Sequence, residues 1–294
     1  MKKIDVGDMV TRRSYGQDIV FYVRRILGTD PPVAQLIGVN VRLAADSPLD
    51  DLIVLDYRIK PSGPSGLKAV ISQIVLQRTK PAPRQHYRLE VARSEYVPVP
   101  GKVLHIDGQE HYLNQCLALY RNLSVPVIGL HIPEAEQPKR IRAVLETYRP
   151  DILVITGHDG LLRRQGSRDF LINYRSSQYF VEAVKQARLF DSNRDGLAII
   201  AGACQSHFES LIDAGANFAS APERVMIHCY DPVFVAEKLA YTPFTQVVDL
   251  PELFGTTISG KDGIGGIETR GKLRQGFPRI ESWLPGEAYS VPKA

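Results

Sequence analysis

From residue 101 onward, short uninterrupted apolar runs alternate with stretches whose apolar residues recur every three or four positions. Lys102-Val103-Leu104-His105-Ile106, Val125 to Leu130, Ile152-Leu153-Val154-Ile155, Leu197-Ala198-Ile199-Ile200 and Val225 to His228 read as strands. Between them, Leu113, Cys116, Leu117 and Tyr120 mark one helix, with Asp107 and Glu110 fitting its start. Ile141, Val144, Leu145 and Tyr148 mark a second, stopped by Pro150. Tyr179 to Leu189 gives a third, and Ser206 to Ala214, closed by Gly215, a fourth. Strands that are apolar on both faces need cover on both, so this alternation predicts a mostly parallel sheet between helical layers. In such sheets the reactive groups sit beyond the carboxyl ends of the strands.

The segment before it is built differently. Residues 1–57 hold short β-branched and apolar runs at Asp8-Met9-Val10-Thr11, Ile19 to Val23, Ala34 to Ile37 and Asp51 to Leu55. Turn signals at Tyr15-Gly16, Gly28 to Pro32 and Asp46-Ser47-Pro48 separate them. Four or five strands in so short a span predict a small β-barrel of SH3-like type, serving as a passive module or docking a partner. Residues 58–100 carry Pro61, Pro64, Pro81, Pro83, Pro98 and Pro100 among polar and basic residues. Apart from one short element over Val70 to Leu76, they read as a linker, because proline removes a donor and fixes φ. The expected organisation is therefore a barrel over 1–57, a linker over 58–100 and an α/β domain over 101–294 with a Gly-rich C-terminal segment.

Composition removes several classes. With 44% hydrophobic and 23% charged residues in 294, the chain can bury a large core, which excludes a disordered or collagen-like protein. A net charge of +4, with both signs mixed along the chain, gives no basic face for nucleic acid. No apolar run reaches the length of a membrane span, and the start lacks the apolar stretch of a secretion signal, so the expected location is cytoplasmic. Cys116, Cys204 and Cys229 form neither a disulfide framework nor a CxxC zinc pattern.

Two strand ends carry reactive groups. One runs Ile155-Thr156-Gly157-His158-Asp159-Gly160, and the next Ala201-Gly202-Ala203-Cys204-Gln205-Ser206. If the two strands are neighbours, His158 and Cys204 share one sheet edge, where a thiol and an imidazole make a nucleophile and its general base. Ser206-His207-Phe208-Glu209 fits a capping box, which would put Cys204 just ahead of a helix N-terminus and favour its thiolate. The backbone amides of Gly160 and Cys204 are the expected oxyanion donors.

Other readings compete. His207 is a rival base, three residues from Cys204, and Cys204-x-x-His207 could join His228 or Cys229 on zinc, although a four-ligand set at normal spacing is missing. No metal or cofactor is expected. Asp159 could orient His158 or, like Asp231 and Glu268, offer a carboxylate to a substrate arginine. Cys116 lies on an apolar helix stripe and reads as core, and Cys229 as structural. The segment from Gly260 to Gly271 lacks the ending of a phosphate loop and reads as a loop beside the site, with Arg270 and Arg274 as conceivable self-cleavage points.

The His-strand, Cys-strand order, with roughly 50 residues between the two groups, resembles caspase-like cysteine peptidases. Asp159 between His158 and Gly160, and Ser206 in place of a glycine, depart from that pattern. A longer resemblance covers nearly the whole chain. Gly7-Asp8-Met9-Val10, Val41-Arg42-Leu43-Ala44-Ala45-Asp46-Ser47, His105-Ile106-Asp107-Gly108, Tyr148 to Asp159, Gly202 to Ser210 and Gly265 to Gly271 are similar to the YabG family of sporulation-specific proteases. That resemblance implies an endopeptidase cleaving spore coat and related spore proteins after arginine, in the mother cell or on the assembling spore. It implies Cys204 as nucleophile and His158 as base.

The expectation is thus an α/β protein with an SH3-like barrel, a caspase-like three-layer catalytic domain and protein substrates. The alternatives are a glutamine-amidotransferase-like hydrolase, in which the His normally follows the Cys, and a non-catalytic coat or regulatory protein that docks through its barrel.

Overall fold

The structure, a computed structural model, describes residues 4–28, 31–55, 97–162 and 167–278. The chain divides into two units, Met1–Ala69 and Val70–Ala294. The expected linker falls outside the described residues except at its end, where Val97–Val99 form a strand.

The first unit is a five-stranded antiparallel sheet of β1 (Met9–Arg12), β2 (Val20–Leu27), β3 (Val33–Gly38), β4 (Ala44–Pro48) and β5 (Leu52–Val54), in the order β4-β3-β2-β1-β5. Alternate residues Val10, Phe21, Val23, Ala34, Leu36 and Leu52 bury one face as a small core. Asp46-Ser47-Pro48, expected as a turn, lies in β4 instead. Ser47 pairs with Ala34 and Pro48 with Val33. Proline is tolerated there because β4 is an edge strand, whose outer side needs no ladder donor.

In the second unit β6 (Val97–Val99) pairs with β13 (Arg274–Gly276). Then follow β7 (Val103–Asp107), α1 (Glu110–Asn122), β8 (Val127–His131), α2 (Gln137–Tyr148), β9 (Ile152–Thr156) and α3 (Ser177–Phe190). The remaining elements are β10 (Ala198–Ala201), α4 (Phe208–Asp213), β11 (Phe218–Ser220), α5 (Asp231–Tyr241), α6 (Leu250–Thr256), α7 (Gly260–Gly263) and β12 (Ile264–Gly266). Six strands make one sheet in the order β12-β11-β10-β9-β7-β8, parallel except where β12 meets β11.

Both faces are covered, as the continuous apolar strands require. Leu104, Ile106, Leu153, Ile155, Ile199 and Ala201 pack on Ile141, Val144 and Leu145 of α2 and on Phe180, Val184 and Ala187 of α3. The opposite face carries His105, whose Nδ1 lies 3.2 Å from the Tyr120 hydroxyl of α1, and is closed by α1 and α5.

One expected strand is absent. Val225 to Ile227 is irregular, and the fifth strand of the parallel set is β11. The apolar residues of 225–227 do not join the ladder because their carbonyls serve the Cys204 turn: Val225 O accepts from Gln205 N–H at 3.1 Å and Ile227 O from the Cys204 thiol.

Candidate active site

β9 and β10 are paired from Ile152–Ala198 to Ile155–Ala201. His158 and Cys204 each follow three residues beyond that last pair, past the carboxyl ends of neighbouring parallel strands. The two loops also touch. The Ser206 hydroxyl donates to Asp159 Oδ2 at 2.8 Å, and a Cβ added at Gly160 would sit 3.4 Å from Gln205 Oε1.

The Cys204 turn is tightly specified. Gly202 has φ +106°, a left-handed conformation that L side chains rarely adopt, and a Cβ there would meet Leu211 Cδ1 at 2.9 Å. Ser206 N–H closes on Ala203 O at 3.3 Å, with Gln205 at φ +57°, the positive-φ corner of a type II turn. The Ser206 hydroxyl returns to accept Ala203 N–H at 2.9 Å. Ser206 therefore ties the turn and is not the helix cap the capping box implied. His207 caps α4, its Nδ1 accepting Ser210 N–H at 3.3 Å. Since α4 has six residues and begins at Phe208, its dipole gives Cys204 little support. Cys204 is 1% exposed, and its thiol donates to Ile227 O at 3.5 Å.

His158 is held from the other side. Its N–H donates to Glu134 Oε1 at 2.7 Å. Glu134 follows β8, and its side chain lies over two glycines: a Cβ at Gly157 would be 2.4 Å from Oε1, and one at Gly108 would be 2.2 Å from Cδ. Sequence reasoning passed over Glu134. The strand-end rule could have found it, since His131-Ile132-Pro133-Glu134 stands where β8 ends.

The other candidates fall in different places. Asp159 is 3% exposed, and both its oxygens are engaged. Oδ1 accepts the N–H groups of Gly160 (2.9 Å) and Ser176 (2.7 Å), and Oδ2 the hydroxyls of Ser177 (2.5 Å) and Ser206. The Gly160 amide, expected in the oxyanion hole, is thus directed at its neighbour's carboxylate. Asp231 is fully buried and accepts the N–H groups of His228 (3.1 Å) and Ile258 (2.7 Å). Burial raises its pKa above the usual carboxylate value against the opposing pull of these bonds. Glu268 is exposed and follows β12, which runs antiparallel to β11; Ile267 N–H meets Asn217 O, at the start of β11. It therefore lies at the amino edge of the sheet, opposite the Cys204 turn.

The histidine that rivals His158 is committed. With Nδ1 of His207 accepting, Nε2 carries the hydrogen and points to Asp169 O at 3.2 Å, while the ring meets Tyr174 edge-on. His228 uses Nδ1 to accept Tyr230 N–H at 3.1 Å. Cys116 and Cys229 are buried together, the Cys116 thiol donating to Cys229 O at 3.3 Å.

The sequence profile of the YabG peptidase U57 family matches residues 5–278. The chain belongs to the YabG family. It is 43% identical over 295 residues to the sporulation-specific protease YabG of Bacillus subtilis (strain 168), an alignment covering 94% of this chain and 98% of that protein. No solved structure matches the chain. Family membership makes the chain a peptidase, a hydrolase with protein substrates, of a sporulation-linked kind. The span matched by the YabG profile takes in every strand from β1 through β13. Among the described residues no helix is long and apolar enough to cross a membrane.

Proposed function

We propose that this YabG-family chain is a cysteine endopeptidase that cleaves spore coat and related spore proteins after arginine, working in the mother cell or on the forming spore. The observation that carries this reading is that His158 and Cys204 each stand three residues beyond the paired strands β9 and β10, in loops joined by the Asp159–Ser206 hydrogen bond. A thiol and an imidazole on one rigid sheet edge are what covalent acyl transfer needs. The same strand-end pattern favours a caspase-like catalytic domain, and five strands in fewer than 60 residues favour an SH3-like barrel ahead of it.

His158 takes the Cys204 proton, and the thiolate attacks the carbonyl carbon after the basic residue. The oxyanion is held by the Cys204 amide, joined by the Gly160 amide once it turns from Asp159. Collapse expels the amine, which leaves with the proton from His158. Water then attacks the thioester, giving its proton to His158, and releases the acid and the thiol.

The substrate guanidinium needs a carboxylate. Asp159 and Asp231 already serve internal donors, and Glu268 is at the far edge of the sheet, so these sequence candidates are poorly placed. Glu134 lies beside the His158 loop, and among the described residues only Oε1 receives a hydrogen bond. We assign the guanidinium to its Oε2.

The test is cleavage of an Arg-containing peptide library by the wild type, Cys204→Ala, His158→Ala and His207→Asn, read by mass spectrometry. Cleavage after Arg that is lost in the first two variants and kept in His207→Asn supports the dyad. Turnover surviving in Cys204→Ala sinks the cysteine mechanism. Turnover surviving in His158→Ala and lost in His207→Asn moves the base to His207, which follows the cysteine in sequence as in the amidotransferase-like alternative.

A further inference from the structure

We infer that Asp159 is a positioning residue that sets the separation of the two reacting side chains, and that Ser206 is the arm through which it acts. The inference rests on the Cys204–His158 reading above. Asp159 follows His158 directly, yet its carboxylate turns inward and is 3% exposed. Four donors converge on it from three segments: the Gly160 amide of its own loop, the Ser176 amide and Ser177 hydroxyl at the start of α3, and the Ser206 hydroxyl of the Cys204 turn.

Each serine passes the constraint on. The Ser206 oxygen donates to Asp159 and accepts from Ala203 N–H at 2.9 Å, so one hydroxyl fixes both the Cys204 turn and its distance from the His158 loop. The Ser177 oxygen donates to Asp159 and accepts from His207 N–H at 2.8 Å, pinning the chain just past that turn to α3. A hydroxyl that donates and accepts at once has a fixed rotor, and a buried donor deprived of its acceptor must find another. The network therefore permits one relative placement of the loops. Misplacement of a reacting atom by about 1 Å can cost a factor of about 100 in rate.

The sharpest probe is Ser206→Ala, which removes one oxygen, leaves Asp159 with three donors and changes little volume. The experiment compares wild type, Ser206→Ala, Asp159→Asn and Cys204→Ala in three readouts. These are kcat and KM on an Arg peptide, the pH midpoint of iodoacetamide alkylation at Cys204, and the thermal midpoint. For Ser206→Ala the expected result is a fall in kcat of about ten-fold or more, KM within about two-fold, and an alkylation midpoint moved to higher pH because the displaced His158 loop favours the thiolate less. Asp159→Asn keeps an acceptor for the two amides and is expected to fall between wild type and Ser206→Ala; it carries the test alone if Ser206→Ala does not fold. Wild-type kcat and alkylation profile in folded Ser206→Ala, with Cys204→Ala inactive, overturns the positioning role and leaves the cysteine mechanism standing. A loss of activity that only tracks the unfolded fraction, with the alkylation midpoint unmoved, overturns it equally. Activity retained by Cys204→Ala overturns the mechanism itself.

Discussion

The Glu134 carboxylate accepts the backbone N–H of His158 at 2.7 Å, reaching it across the faces of Gly108 and Gly157. One oxygen thus has a structural partner, and the proposed reading gives the other to the substrate guanidinium. Glu134→Gln keeps an amide oxygen for His158 and removes the charge. Its kcat/KM on Arg peptides is expected to fall about ten-fold or more, the scale of one charge-assisted pair, with Cys204 alkylation unchanged. Equal kcat/KM for wild type and Glu134→Gln refutes the assignment of the guanidinium to this acid.

The glycines that admit Glu134 make a second prediction. Gly157→Ala puts a methyl 2.4 Å from Oε1, so either the carboxylate or the His158 loop must move. The expected cost is about 1–3 kcal/mol in urea unfolding, accompanied by loss of peptidase activity. Replacing Gly255, where a Cβ meets nothing within 4 Å, is the control that keeps both.

The alternation of apolar runs and helical stripes was enough to read four strands and four helices of the second unit, because burial on both faces leaves a continuous signal in each strand. Leu113, Cys116, Leu117 and Tyr120 are all buried on α1 as their spacing requires. Val225 to Ile227 misled because apolar composition cannot tell a ladder strand from a strap whose carbonyls are claimed by a turn. Strands β11 and β12 escaped notice because three residues of Phe-Ala-Ser or Ile-Gly-Gly carry no periodicity. The position of His158 and Cys204 beyond the ends of two neighbouring strands was legible. Glu134, Ser176 and Ser177 were not, since each acts through contacts distant in sequence. The role of Asp159 stayed open for the same reason: a sequence does not say whether an acid beside a histidine faces outward or, as its four donors require here, inward.

The strap from Ala221 to Ile227 is anchored by Arg224, which donates from Nε to the Tyr174 hydroxyl at 2.8 Å and ion-pairs with Glu209. Arg224→Asn removes both anchors, and asparagine tolerates the φ of +57° found there. Freed from its anchor, the strap covers the thiol less well. Iodoacetamide labelling of Cys204 is expected to speed up several-fold in this variant, and an unchanged rate means that the strap does not limit access.

Asp231 makes a pH prediction. Its folded-state pKa is raised by burial, so its contribution to stability is full below the unfolded value and is lost as pH rises through the folded one. Asp231→Asn cannot titrate. The stability of wild type relative to Asp231→Asn, measured by denaturant unfolding, is expected to decline from pH 4 upward. A difference that is flat or grows with pH contradicts the raised value.

Self-cleavage at Arg270 or Arg274 is not expected while the protein is folded. Arg274 is in the β13–β6 ladder opposite Val99, and Arg270 bridges to Val247 while its N–H binds Asp195 at 2.9 Å. A protease needs its substrate backbone extended and free, and these bonds deny it. Intact-mass spectrometry of wild type incubated alone should show no product ending at either arginine. Such a product formed below the unfolding temperature refutes the prediction.

The contact between the Cys204 thiol and Ile227 O has a chemical corollary of its own. Peroxide oxidises a thiolate that it can reach, and the first product, a sulfenic acid, proceeds to irreversible acids. Cys204 is 1% exposed and its thiol contacts a backbone carbonyl, so an oxidant finds little opening. The strap thus shelters Cys204 from oxidants, and any opening that gave a polypeptide access to the sulfur under the proposed mechanism would give peroxide the same access.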